Sequence, residues 1–129
     1  MARILIIEDN VANMKLATMV LQNAGHTALC AVDAETGLAL ARTDRPDLIL
    51  MDIQLPGMNG LVATALLKED PATASIPVIA LTSLATKGDH DMAKAAGCDA
   101  YVVKPFLHAV LYAAIDALLL KSGPAAAIV

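Results

Sequence analysis

The sequence predicts an α/β domain, five strand-then-helix units forming a doubly wound five-stranded parallel sheet, (βα)5. Three observations carry this reading. Short apolar runs alternate with longer stretches of helical spacing. The runs are apolar on both faces, as strands covered by helices on each side must be. Four of the five end on a polar residue suited to phosphate or metal chemistry.

The first run, Ile4-Leu5-Ile6-Ile7, ends on Glu8-Asp9. Val11 to Asn23 has helical spacing and closes on Ala24-Gly25, a C-terminal glycine signal. The second run, Thr27 to Ala31, is weaker. Asp33 is a candidate N-cap for a helix from Ala34 to Arg42. The third run, Leu48 to Met51, ends on Asp52, and a Pro-Gly-x-x-Gly loop then leads into a helix from Gly60 to Lys68. The fourth, Val78 to Leu81, ends on Thr82-Ser83 and is followed by a helix from Lys87 to Ala96 that stops at Gly97. The fifth, Tyr101-Val102-Val103, ends on Lys104-Pro105. A last helix from Leu107 to Leu120 stops at Ser122-Gly123-Pro124, and Ala125 to Val129 is expected to fray. Right-handed crossovers give strand order 2-1-3-4-5, the flavodoxin-like arrangement. The expected organisation is one domain over 1–122 and a short tail over 123–129, without internal repeats or linkers.

Composition narrows the function. Hydrophobic residues make up 57% of the 129, which favours a packed globule over disorder. Aromatics are only 2% and Trp is absent, so Ala, Leu, Ile, Val and Met must build the core. The net charge is −4 and the nine basic residues are scattered, which argues against nucleic-acid binding. Cys30 and Cys98 have no metal-type spacing and read as reduced core residues. No apolar run reaches the ~18 residues of a membrane span. With a strand starting straight after Ala2-Arg3, the expectation is a cytoplasmic protein without signal peptide or membrane insertion.

In an open parallel sheet, ligands bind beyond the carboxyl ends of the strands. Glu8-Asp9, Asp52, Thr82 and Lys104 should therefore converge on one cleft. Carboxylates packed together repel one another unless something positive fills the gap. Mg²⁺ is the natural candidate, because it prefers oxygen ligands and keeps waters that a phosphoryl oxygen can replace. Lys104 adds a second positive charge and Thr82 a hydroxyl donor. Together these are the parts of a phosphoryl-transfer site with Asp52 as nucleophile.

The motifs Ile6-Ile7-Glu8-Asp9-Asn10, Asp47 through Gly60, Ile76 through Thr82 and Tyr101 through Phe106 resemble those of response-regulator receiver domains, the CheY-like superfamily. The resemblance spans roughly residues 3 to 121 and is similar in detail to stand-alone receivers of the DivK type. It implies a single-domain response regulator of a two-component system or phosphorelay. Asp52 would be the phosphoacceptor and Mg²⁺ the cofactor, with Mn²⁺ able to substitute. Glu8, Asp9, Asp52 and the main-chain carbonyl of Gln54 would hold the metal. Lys104 would pair with a phosphoryl oxygen, aimed by a cis Pro105. Thr82 and Tyr101 would form the switch. Gln54 and Leu84 would flank the entry of attacking water. The implied partners are a histidine kinase or histidine phosphotransferase and a downstream protein target. The implied chemistry is self-catalysed phosphoryl transfer and hydrolysis rather than turnover of a substrate.

Two helices invite further readings. Asn10, Val11, Met14 and Lys15 sit beside the acidic pair, where the resemblance implies docking on the helical bundle that carries the phosphohistidine, and an apolar patch there fits that mode. The last helix has little polar face beyond His108, Tyr112, Asp116 and Lys121, so part of it is expected to serve a partner or a homodimer. His26, His90 and His108 have no suggestive partners and receive no catalytic role. A haloacid-dehalogenase-type phosphatase is disfavoured because its second Asp is replaced by Gln54 and no cap domain fits. A phosphorylation-independent pseudo-receiver is disfavoured because no acidic ligand is lost. A transcription factor is disfavoured because nothing after residue 121 could form a DNA-binding domain.

Overall fold

The computed structural model of the chain describes residues 2–83 and 86–122, with side chains to residue 120. Leu84 and the expected tail over 123–129 lie outside the described residues. Ten elements alternate: β1 (Arg3–Ile7), α1 (Val11–Asn23), β2 (Thr27–Ala31), α2 (Ala34–Asp44), β3 (Leu48–Asp52), α3 (Gly60–Glu69), β4 (Val78–Thr82), α4 (Lys87–Ala96), β5 (Ala100–Val103) and α5 (His108–Ser122). The strands form one parallel sheet in the order β2-β1-β3-β4-β5. The fold class and strand order agree with the sequence reading.

Strands β3 and β4 are buried at every position, which explains their uninterrupted apolar runs. One face of the sheet packs Leu5, Ile7, Ile49 and Met51 against Ala34, Ala41, Ala63, Leu67 and Ala93 of α2, α3 and α4. The other packs Ile4, Ile6, Leu48 and Leu50 against Ala17, Val20, Leu21, Leu111 and Ile115 of α1 and α5. Alanines at the helix contacts bring the helices close to the sheet, so a core almost without aromatics still fills.

Local chemistry sets the boundaries. Asn10, Asp33, Asn59 and Thr86 each cap a helix by accepting an N–H from the first turn. Helix α2 runs to Asp44 rather than Arg42, because the stop comes from Arg45 in the left-handed region (φ 45°) followed by Pro46. Helix α5 begins at His108, with the Leu107 carbonyl accepting from the Val110 and Leu111 N–H groups.

Cys30 corrects the expectation of two core cysteines: it is exposed, and Cys98 is half-buried. The cause is position. Cys30 lies on β2, an edge strand, and its Sγ meets the Thr18 hydroxyl of α1 at 3.7 Å. Among the described residues no helix is long and apolar enough to cross a membrane.

Candidate functional site

The carboxyl ends of β1, β3, β4 and β5 meet at one cleft. Asp52 closes β3, the central strand, and is 3% exposed. Glu8 follows β1 and is equally buried, whereas Asp9 beside it is exposed. Oxygens from Glu8, Asp9 and Asp52 lie within 4.8 Å of one another. Lys104, after β5, donates from Nζ to Glu8 Oε1 at 3.0 Å and stands 3.6 Å from Asp52 Oδ1. The Gln54 N–H donates to Asp52 Oδ1 at 3.0 Å, and the Asn10 N–H donates to Glu8 Oε2 at 3.2 Å.

The backbone fixes these positions. The Gly60 N–H bonds to the Ile53 carbonyl and folds the β3–α3 loop back beneath Asp52. A Cβ at Gly60 would run into the Asp52 carbonyl, so only glycine permits this approach. The Lys104 N–H donates to the Thr82 carbonyl at 2.7 Å, and the Lys104–Pro105 bond is cis.

The electrostatics follow from crowding. Burial, and a hydrogen bond shared with Glu8, push the Asp52 carboxyl up to about 6, against the pull of the Gln54 N–H and Lys104. Burial also acts to raise Glu8, but its bonds with Asp52, Lys104 and the Asn10 N–H outweigh that and hold it below its usual value. The set thus contains more acidity than Lys104 alone neutralises. Three carboxylates clustered on one side, with an exposed member facing the opening, are the hard-oxygen donor set that a hydrated divalent cation takes. The residues present therefore fit Mg²⁺.

The cleft opens into a cavity of about 550 Å³ whose walls include Asp9, Asn13, Leu16, Ser83 and Phe106. Of the helix α1 residues singled out from sequence, Asn10 caps the helix and lines the cavity, Val11 is 69% exposed and Lys15 is exposed. Met14 instead is half-buried and packs against the core on the α1 and α5 side of the sheet. Sequence reasoning missed Asn13 and Leu16. Their spacing from Asn10, one and two turns on, was the available signal.

Thr82 is buried at the end of β4. It and Tyr101 both line a second cavity of about 260 Å³ between α3 and α4, floored by Ile53, Leu61 and Ala93. Tyr101 is half-buried and meets His90 edge to face at 5.0 Å. Burial and the Asp89 carboxylate raise its phenol.

This strand order with this acidic cleft defines a class. The model of the response regulator receiver domain matches residues 4–116, and the chain belongs to that family, the receiving side of two-component signalling. Such domains work in general with a histidine kinase upstream and a target downstream. Within the family the chain is 46% identical over 102 residues to the polar-differentiation response regulator DivK of Brucella anthropi, covering 79% of this chain and 83% of that one. Among solved structures, the receiver domain of a Pseudomonas aeruginosa sensor histidine kinase, with magnesium coordinated in its active-site cleft, superposes with a TM-score of 0.85 at 31% identity, over 92% of this chain and 97% of that one. A chemotaxis response regulator of Vibrio cholerae gives 0.86 at 26% identity, over 92% and 98%.

Proposed function

We propose that the protein is a single-domain response regulator that takes a phosphoryl group onto Asp52 from the phosphohistidine of a histidine kinase or histidine phosphotransferase. The observation that carries this is Asp52 itself: a carboxylate 3% exposed, at the end of the central strand, with a lysine ammonium 3.6 Å away and the acidic pair beside it. Burial strips water from the nucleophile, and Lys104 stands where charge would develop on a phosphoryl oxygen.

In the transfer an Asp52 carboxylate oxygen bonds to phosphorus, the phosphorus–nitrogen bond breaks, and the imidazole leaves with that electron pair. Mg²⁺, held by Glu8, Asp9, Asp52 and the Gln54 carbonyl, would neutralise charge on the phosphoryl oxygens, and Mn²⁺ would substitute. The Gln54 N–H, already directed at Asp52, steadies the product. Lys104 is drawn from Glu8 toward the phosphoryl group. The Thr82 hydroxyl moves to meet it, and Tyr101 follows into the cavity they share. Hydrolysis of the acyl phosphate resets the switch, and the protein has no other enzymatic activity.

The donor docks over Asn10, Val11, Met14 and Lys15, next to the opening of the cleft. The output surface lies on β5 and its flanking helices, where Met92, Val103, Leu107, Val110 and Leu120 are exposed. The same stripe on α5 would serve a homodimer. The setting is the cytoplasm, and the net charge of −4 suits a protein target rather than nucleic acid. Incubation with Mg²⁺ and acetyl phosphate, followed by intact mass, tests the reading. A labile phosphate on wild type and not on Asp52→Asn is the expected result. Equal labelling of the two moves the acceptor elsewhere.

A further inference from the structure

Gln54 faces two ways. Its main-chain N–H donates to Asp52 Oδ1, while its side-chain oxygen accepts from Ser83, at 3.2 Å from the N–H and 2.7 Å from the hydroxyl. Ser83 follows Thr82 directly, and Gln54 and Ser83 both line the cavity that holds Asp52. One side chain therefore ties the loop leaving β3 to the end of β4 across the mouth of the cleft.

We propose that the Gln54 carboxamide is a resting-state clasp: it occupies the Ser83 donors, so that a phosphoryl group on Asp52 must take them from Gln54 before the end of β4 can move. This rests on the reading of Asp52 as acceptor. A phosphoryl group carries close to two negative charges and three strong acceptor oxygens. A charged acceptor makes stronger hydrogen bonds than a neutral carboxamide oxygen, so the exchange runs toward the phosphoryl group once it is present. Before that, the clasp holds the end of β4 in its resting position and opposes the switched one. Gln54 is thus a positioning residue, acting on Thr82 and Ser83 through the clasp. Both bonds are solvent-exposed, so each contributes little net and the clasp yields readily.

The test uses beryllofluoride, a phosphoryl mimic that does not hydrolyse, so that water access to the acyl phosphate does not enter. Gln54→Met keeps the side chain's length but removes the carboxamide acceptor, and Gln54→Leu serves if the first variant does not fold. At saturating Mg²⁺, the variant is expected to bind beryllofluoride roughly threefold to tenfold more tightly than wild type, the range for one or two modest hydrogen bonds. In metal-free protein, exchange of the Ser83 amide hydrogen is expected to quicken in the variant. Unchanged or weaker binding of the mimic by a folded variant overturns the clasp while leaving Asp52 as acceptor. Wild type that fails to bind beryllofluoride with Mg²⁺ overturns the acceptor reading and the clasp with it.

Discussion

Asp52 and Glu8 share one buried space, and the cost of that sharing falls on Asp52, which is raised to about 6 while Glu8 is lowered. A carboxyl raised above its unfolded value gives stability that is present at low pH and lost as pH rises through the folded value. Asp52 therefore weakens the metal-free fold above about pH 6, and Glu8, shifted the other way, offsets part of this. Asp52→Asn removes the crowding charge. Without metal it should raise stability at pH 7.5 by on the order of 1 kcal/mol, with the gain shrinking toward pH 4. Thermal melts across that range check the sign, and a variant less stable than wild type at pH 7.5 counts against crowding. Lys104 contributes differently: it holds Glu8 at 3.0 Å and stands close to Asp52. Lys104→Ala should leave labelling by acetyl phosphate partly intact yet separate it from the response at Tyr101. Wild-type shifts in the Tyr101 ring resonances on labelling would contradict that role.

At the scale of elements, two positions divide cleanly. Gly60 opens α3 directly beneath the Asp52 carbonyl, where an added methyl meets backbone rather than a side chain that can move aside. Gly60→Ala should cost about 2 kcal/mol or more in urea unfolding and disturb the cleft with it. Helix α5 carries its apolar residues on two faces. Leu111 is fully buried against the sheet, whereas Val110 is 49% exposed and Leu107, the residue just before the helix, is 74% exposed. Leu111→Ala should cost about 2–5 kcal/mol. Leu107→Ser should stay within about 0.5 kcal/mol. If the outer stripe joins two copies, Leu107→Ser also weakens self-association in sedimentation velocity. A strict monomer at high concentration, with and without beryllofluoride, removes the homodimer.

For the whole molecule, the sheet topology turns chain order into convergence. Residues as far apart in sequence as Glu8 and Lys104 come into contact because β1 lies one strand from β3 and β5 follows β4. This was legible in the sequence, because doubly buried strands leave uninterrupted apolar runs and their polar ends mark one edge of the sheet. What escaped the sequence depends on three-dimensional detail. Cys30 looked like a core residue because its apolar run does not say how much of an edge strand the helices leave uncovered. The end of α2 was placed early because the stop resides in the backbone of Arg45, not in a glycine. The bond between Gln54 and Ser83 joins two loops and has no periodicity to announce it. Because Glu8, Asp9 and Asp52 crowd together, Mg²⁺ at millimolar concentration should raise the melting temperature of wild type, and much less that of Asp9→Asn.

Whether Asp52 is the one acceptor is decided by chemical mapping of the phosphorylated residue. The protein is labelled with acetyl phosphate and Mg²⁺, reduced with borohydride so that an aspartyl phosphate becomes homoserine, and mapped by peptide mass. The expected product is homoserine at position 52 and nowhere else. Reduction products at position 8 or 9 with an intact aspartate at 52 would contradict it.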